Sequence, residues 1–297
     1  MAKDNGKRKK GEDEFDLRSI LTVPADPDQA REKLAELHPA STPAGPEDKE
    51  DAQTRTDSYL AELTELQERM FAASKGGLDR RILLVLQGMD TSGKGGVIEK
   101  TVGLLNPAPL ELHSFKAPTE EEKKHHFLWR IRNNLPNPGQ IGIFDRSHYE
   151  DVLIQRVHKM VDAETIEQRY DDINEFEQGL VEGGYTILKC FLHISKEEQK
   201  ERLLARLDNP AKHWKFNPGD IDEREHWDEY QQAYLIALTR CSSPGARWYA
   251  VPSDRKWYRN WAVGRLLLEA LREISPQYPE MGFDVDEQRA RLLNERG

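Results

Sequence analysis

The chain has 297 residues, 37% of them hydrophobic and 32% charged, and a formal net charge of −10. That length accommodates one large α/β domain with additions or two small ones, and the acidic balance argues against a general nucleic-acid binder, whose footprint is basic. Cys190 and Cys241 are too few for a disulfide framework and lack metal-ligand spacing, and no run approaches the ~18 apolar residues of a membrane span; the expectation is a reduced, cytoplasmic protein without a secretory leader or membrane association.

Residues 1 to about 14 read as a solvated tail, since Lys7-Arg8-Lys9-Lys10 is answered at once by Glu12, Asp13 and Glu14. A short helix is expected near Asp28–Leu37 and a Pro- and acid-rich linker over Pro39–Asp51. This sets residues 1–50 apart as a disordered or partly helical extension, ahead of one domain over 51–297. Tyr59, Leu63, Leu66 and Met70 form one apolar stripe of a helix over Asp51–Ser74, closed by Gly76-Gly77. An alternation follows. Strands are expected at 82–87, Leu110–Ser114, Ile141–Asp145, Tyr185–Ile194 and Trp248–Pro252. Helices are expected at Lys94–Leu104, Glu120–Asn134, 149–159, 163–182 and Trp257–Glu273. A charged helical stretch over Lys196–Leu238 is broken at Asn209-Pro210 and Asn217-Pro218. Such alternation implies a three-layer α/β/α fold with a five-stranded parallel sheet, whose ligands bind beyond the strands' carboxyl ends.

The chemistry concentrates in Gly88-Met89-Asp90-Thr91-Ser92-Gly93-Lys94-Gly95-Gly96. A buried-type strand running into G-x-x-x-x-G-K makes an anion nest from backbone N–H groups, with the lysine adding charge. Here Gly95 replaces the usual Ser or Thr, so the hydroxyl that ordinarily holds Mg²⁺ is missing. Asp90, inside the loop, and Asp145, ending the strand Ile141–Asp145, are two carboxylates that can replace it. Arg146 follows Asp145 and is read as facing the phosphates rather than a neighbouring acid. In the 196–238 segment, Arg202 and Arg206 share a helix face, and Lys212 and Lys215 follow. The functional reading is a lid that closes over phosphates; the plain alternative is a solvated helix of mixed charge. Lys116 and Arg130 are further candidate cations, and Glu150 and Asp151 candidate orienting acids. His148 reads as a packed histidine.

Together these stretches resemble the family-2 polyphosphate kinases. The resemblance rests on Val85–Lys94, Ser114–Pro118, Phe127–Arg130, Phe144–Val152 and Lys212–Phe216, in order over roughly residues 55 to 275. Ser147-His148-Tyr149-Glu150-Asp151-Val152 looks like the class III branch, while Asp145 and the Gly95-Gly96 pair look more like the other branches. The resemblance implies a P-loop kinase-like fold and Mg²⁺-dependent transfer of the terminal phosphoryl of polyphosphate to AMP or ADP, and to the guanine nucleotides, with Mn²⁺ as an alternative ion. It makes Asp90 and Asp145 the metal carboxylates, and Lys94 and Arg146 the catalytic cations. Gly88, Gly93, Gly95, Lys116, Arg130, Glu150, Arg206, Lys212 and Lys215 become polyphosphate or nucleotide contacts. A homodimer or homotetramer is implied. The rivals are an ATP-dependent nucleoside or nucleotide kinase of the same fold and a non-catalytic phosphate-binding module.

Overall fold

The computed structural model describes residues 16–280 and 282–295, so the expected solvated tail lies outside the described residues. Twelve helices are described: α1 (Leu17–Leu21), α2 (Pro27–Glu36), α3 (Lys49–Lys75), α4 (Lys94–Lys100), α5 (Trp129–Arg132), α6 (Ile154–Val157), α7 (Ala163–Glu182), α8 (Lys196–Leu207), α9 (Gly219–Glu225), α10 (Trp227–Arg240), α11 (Lys256–Ile274) and α12 (Val285–Leu293). The strands are β1 (Arg81–Gln87), β2 (Leu110–Ser114), β3 (Ile141–Asp145), β4 (Tyr185–His193) and β5 (Trp248–Pro252).

The five strands form one sheet in the order β2-β3-β1-β4-β5, and every pairing is parallel. Helices surround it, which is why β1 reads as an unbroken apolar run: Ile82 to Leu86 are all fully buried. After β1 the chain moves to one side of the sheet for β2 and β3, then crosses to the other for β4 and β5. The crevice at that switch lies beyond the carboxyl ends of β1 and β3. Register sets the geometry there. Leu86 pairs with Asp145, and Ser114 pairs with Asp145 from the other side, so the end of β3 stands level with the start of the glycine loop.

Three expectations need correction, the simplest being that the helix expected at 149–159 is split into a 3₁₀ turn at His148–Asp151 and the four-residue α6. Residues 16–48 are not set apart from the domain. Leu17, Leu21, Val23 and Leu37 are buried in its core, the Val23 N–H donates to Trp248 O at 2.9 Å, and the Glu269 carboxylate accepts from Leu17 N and Arg18 N, both at 3.1 Å. The Pro-rich segment is likewise seated, with Tyr258 Oη donating to Pro43 O at 3.0 Å. Helices this short carry too few apolar residues to show a period. The helix expected at 120–134 is reduced to a 3₁₀ turn at Glu122–Lys124 and the four-residue α5. Thr119 and Glu122 do form a reciprocal capping pair, but Glu120 to His126 offers no apolar side chain for the core to hold.

The segment after β4 breaks at both Asn-Pro steps, giving α8, a 3₁₀ turn at Pro210–Lys215, α9 and α10. No helix among the described residues is long and apolar enough to cross a membrane.

Candidate active site

The loop between β1 and α4 is strained where it must be. Thr91 has φ +62° and Gly93 φ +112°, both left-handed. A β-branched residue there costs on the order of 1–3 kcal/mol and persists only where the surroundings enforce it. Glycine is required at 93 for a second reason: a Cβ would run into the Arg259 guanidinium. Gly88 is similarly hemmed, its Cβ position lying 2.7 Å from Ser92 Oγ and 2.8 Å from Leu192 O. Gly95 differs, since a Cβ there meets nothing within 4 Å. Left-handed residues close together turn their N–H groups toward one concavity. Thr91 N–H and Gly93 N–H take no hydrogen-bond partner among the described residues, whereas Ser92 N–H closes a turn on Met89 O at 3.0 Å.

Asp90, Lys94, Asp145 and Arg146 line one cleft of about 1430 Å³ at the end of the sheet. Arg146 is itself left-handed (φ +63°), and its backbone N–H donates to Leu86 O at 3.1 Å, which aims its side chain over the loop. There Arg146 Nη2 donates to Asp90 Oδ1 at 3.0 Å. Lys94 Nζ donates to Gly88 O at 2.7 Å. Burial pulls the Lys94 ammonium below its ordinary value. Asp90, Asp145 and Glu150 resist that pull, and the Arg146 charge adds to it. Burial also opposes the charge on Arg146, but Glu150, Asp90 and Asp145 outweigh it and hold the guanidinium above its usual range. Both aspartates therefore act on both cations, which places all four groups in one electrostatic unit. Two carboxylates facing a phosphate cradle are the donor set Mg²⁺ takes when phosphate oxygens and water complete its shell, so the residues present fit that ion.

The other expected site residues divide. Arg206, Lys212 and Lys215 line the same cleft from the lid side. Arg206 is fixed by donating to Lys215 O at 3.0 Å and to Asp220 Oδ2 at 3.4 Å. Glu150 is not among the cleft's lining residues but stands behind Arg146. Burial raises its carboxyl while Arg146 and Lys94 oppose the rise, and the Gln87 amide, with its nitrogen toward the acid, donates to Glu150 Oε1 at 3.0 Å. Lys116 and Arg130 do not line this cleft. Arg130 is buried: it donates to Lys116 O at 2.8 Å, pairs with Asp151 at 3.5 Å and stacks over Phe115. Its charge is engaged in the core rather than in this cleft. His148 is packed, as expected, with Nε2 3.2 Å from Glu177 Oε1.

Sequence reading missed several cleft residues. Arg255, Lys256 and Trp257 open α11 just past β5, and their signal was position: the carboxyl end of a strand in a parallel sheet. Lys49 enters from the start of α3 and carried no comparable mark.

An anion nest at the switch point of a parallel sheet, faced by paired carboxylates and by lysine and arginine side chains, is the arrangement of a phosphotransferase. The chain belongs to the polyphosphate kinase 2 family, whose sequence model matches residues 46–279. Over 218 residues it is 45% identical to the AMP/ADP-polyphosphate phosphotransferase of Meiothermus ruber, covering 73% of this chain and 80% of that protein. Over 235 residues it is 39% identical to the ADP-polyphosphate phosphotransferase of Rhodopseudomonas palustris, covering 75% and 80%. The crystal structure of polyphosphate kinase 2 from Arthrobacter aurescens TC1 superposes with a TM-score of 0.90 at 46% identity, covering 95% of this chain and 98% of that one.

Proposed function

We propose that this protein transfers the terminal phosphoryl group of inorganic polyphosphate to AMP and ADP, reversibly and with Mg²⁺. The observation that carries the reading is the convergence on one cleft of the glycine loop, Asp90, Lys94, Asp145 and Arg146 with the lid cations Arg206, Lys212 and Lys215. A linear polyanion needs a track of cations rather than a single pocket, and this cleft supplies one inside an acidic protein. The family membership and the names of its relatives support the same donor and acceptors.

Phosphoryl transfer demands alignment and charge neutralisation more than covalent chemistry. The free N–H groups of Thr91 and Gly93 take the non-bridging oxygens of the donor. Lys94, released from Gly88 O, and Arg146 neutralise the group in flight. Asp90 and Asp145 would hold Mg²⁺, which supplies positive charge to the phosphate oxygens when bound. Arg206, Lys212 and Lys215 bind the chain of phosphates and exclude water from above. The Asp90–Arg146 pair fixes the orientation of both groups before substrate arrives.

Purified protein given AMP, Mg²⁺ and polyphosphate, with no ATP present, is expected to form ADP and then ATP. No product under those conditions, with product when ATP is the donor, would overturn the reading in favour of an ATP-dependent kinase. Running AMP, ADP, GMP and GDP side by side orders the acceptors. Light scattering reads the homodimer or homotetramer that the family resemblance implies.

A further inference from the structure

We propose that Arg202 is a positioning residue of the phosphate loop, holding its peptide planes so that their N–H groups face the donor, and that it joins this geometry to the lid. The proposal rests on the donor-binding role of the loop argued above, and it goes beyond the charge reading that grouped Arg202 with Arg206.

The guanidinium has five N–H donors, and the structure accounts for each. Nε donates to Glu198 Oε1 at 2.7 Å. Nη1 donates to Thr91 O at 2.9 Å and to Ser92 O at 3.1 Å. Nη2 donates to Ser253 O at 2.6 Å and to Asp254 O at 2.9 Å. No donor is left for a phosphate, so Arg202 acts through the backbone. Two neighbours extend the same restraint. Gln199 Nε2 donates to Asp90 O at 3.0 Å, and Arg259 Nη1 adds a second donor to Ser92 O at 3.1 Å. Three consecutive loop carbonyls are thus held by side chains from α8 and α11.

In a trans peptide the carbonyl and the next N–H point in opposite directions. Fixing Asp90 O, Thr91 O and Ser92 O therefore fixes the N–H groups of Thr91, Ser92 and Gly93 in the opposite direction, and of these three only Ser92 N–H has a partner among the described residues. The brace also accounts for Thr91 at φ +62°, because the carbonyl that would relax the strain is pinned. Glu198, Gln199 and Arg202 belong to α8, whose last turn carries Arg206 over the cleft. One helix thereby fixes the cradle at its first turns and delivers a lid cation at its end. The second fork of Arg202 anchors that helix to the segment after β5, so the coupling has a fixed point.

The test uses Arg202→Lys, which keeps the charge but offers a point donor that cannot bridge both loops, and Gln199→Met, which removes only the Asp90 contact. Each is assayed for kcat, KM for AMP, KM for polyphosphate and the rise in Tm produced by polyphosphate. Arg202→Lys is expected to lose at least tenfold in kcat and to weaken polyphosphate at least tenfold, with KM for AMP within twofold and most of the polyphosphate-induced rise in Tm lost. Gln199→Met is expected to lose three- to tenfold on the polyphosphate side alone. A purely structural role predicts a lower Tm without ligand but kcat, polyphosphate KM and ligand-induced Tm rise within twofold of the unmodified protein below that Tm; this result overturns the proposal. Should Arg202→Lys fail to fold, Gln199→Met decides by the same criteria. If the unmodified protein uses ATP and not polyphosphate, the donor assignment fails by itself, and the same variants assayed with ATP still judge the brace.

Discussion

The floor of the cleft and its lid solve the same problem, binding a polyanion, by opposite means. On the floor the binding groups are mostly backbone, their carbonyls pinned by buried side chains and their strand, β1, fully enclosed. On the lid the groups are long cationic side chains, with Lys212, Trp214 and Lys215 all exposed. One contact of the lid with the body is itself polar: Glu223 of α9 lies 3.0 Å from His158 Nε2. The contrast teaches where energy resides. Dipoles held rigidly at a half-buried cradle are already oriented for the phosphates, whereas exposed cations are screened within about 8 Å at physiological salt. The floor should govern rate and the seating of the donor, and the lid should add a smaller, salt-sensitive share of affinity.

The sharpest way to break this division is at the cradle's charges. Lys94→Met and Asp145→Asn are each expected to lower kcat/KM about 10³-fold, roughly 4 kcal/mol, with Tm nearly unchanged. Because burial already disfavours the Lys94 charge, its removal should not destabilise the fold. A loss below tenfold in steady-state kinetics would contradict the assignment. Next comes Gly93→Ala, which forces a Cβ into Arg259 at a positive φ. It is expected to destabilise by about 3 kcal/mol in urea unfolding and to abolish polyphosphate binding.

A third test uses pH. His193, which ends β4 beside Asp254, is pushed down to about 4 by burial, with Asp254 opposing and His38 reinforcing. The unfolded chain then binds the proton more readily, so this stabilising contribution is present above the ordinary histidine value and is lost as pH falls from about 6.5 to about 4, by up to about 3 kcal/mol. His193→Leu should flatten that part of a Tm-versus-pH curve, and an unchanged slope would refute it.

Smaller effects belong to the lid. Lys212→Ala and Lys215→Ala should each raise KM for polyphosphate only about threefold to fivefold, under about 1 kcal/mol, and high salt should erase the difference. An effect on kcat as large as that of Lys94 would erase the distinction between floor and lid. The least effect is expected from Gly95→Ser. Open space surrounds that position, so Tm should hold or rise slightly through about 0.5 kcal/mol of helix propensity. Activity should persist, because the two aspartates already supply the metal's protein ligands.

These residues also show how far a sequence carries. The chain by itself determined the five-stranded parallel sheet, the phosphate loop on β1, the carboxylate ending β3 and both Asn-Pro breaks in the lid. Each is a local pattern of apolar period, glycine spacing or proline, and local sterics and burial enforce them wherever they occur. What only the tertiary structure decided was the use of charge. Arg130 and Arg202 looked like phosphate contacts beside Arg206, yet Arg130 serves a buried acid and Arg202 spends every donor on the backbone. Residues 16–48, which read as a separate extension, are core. Sequence gives an arginine its charge; which acceptors surround it depends on segments far apart in the chain, such as Ser92 and Arg202, 110 positions apart, and these meet only when the sheet is assembled.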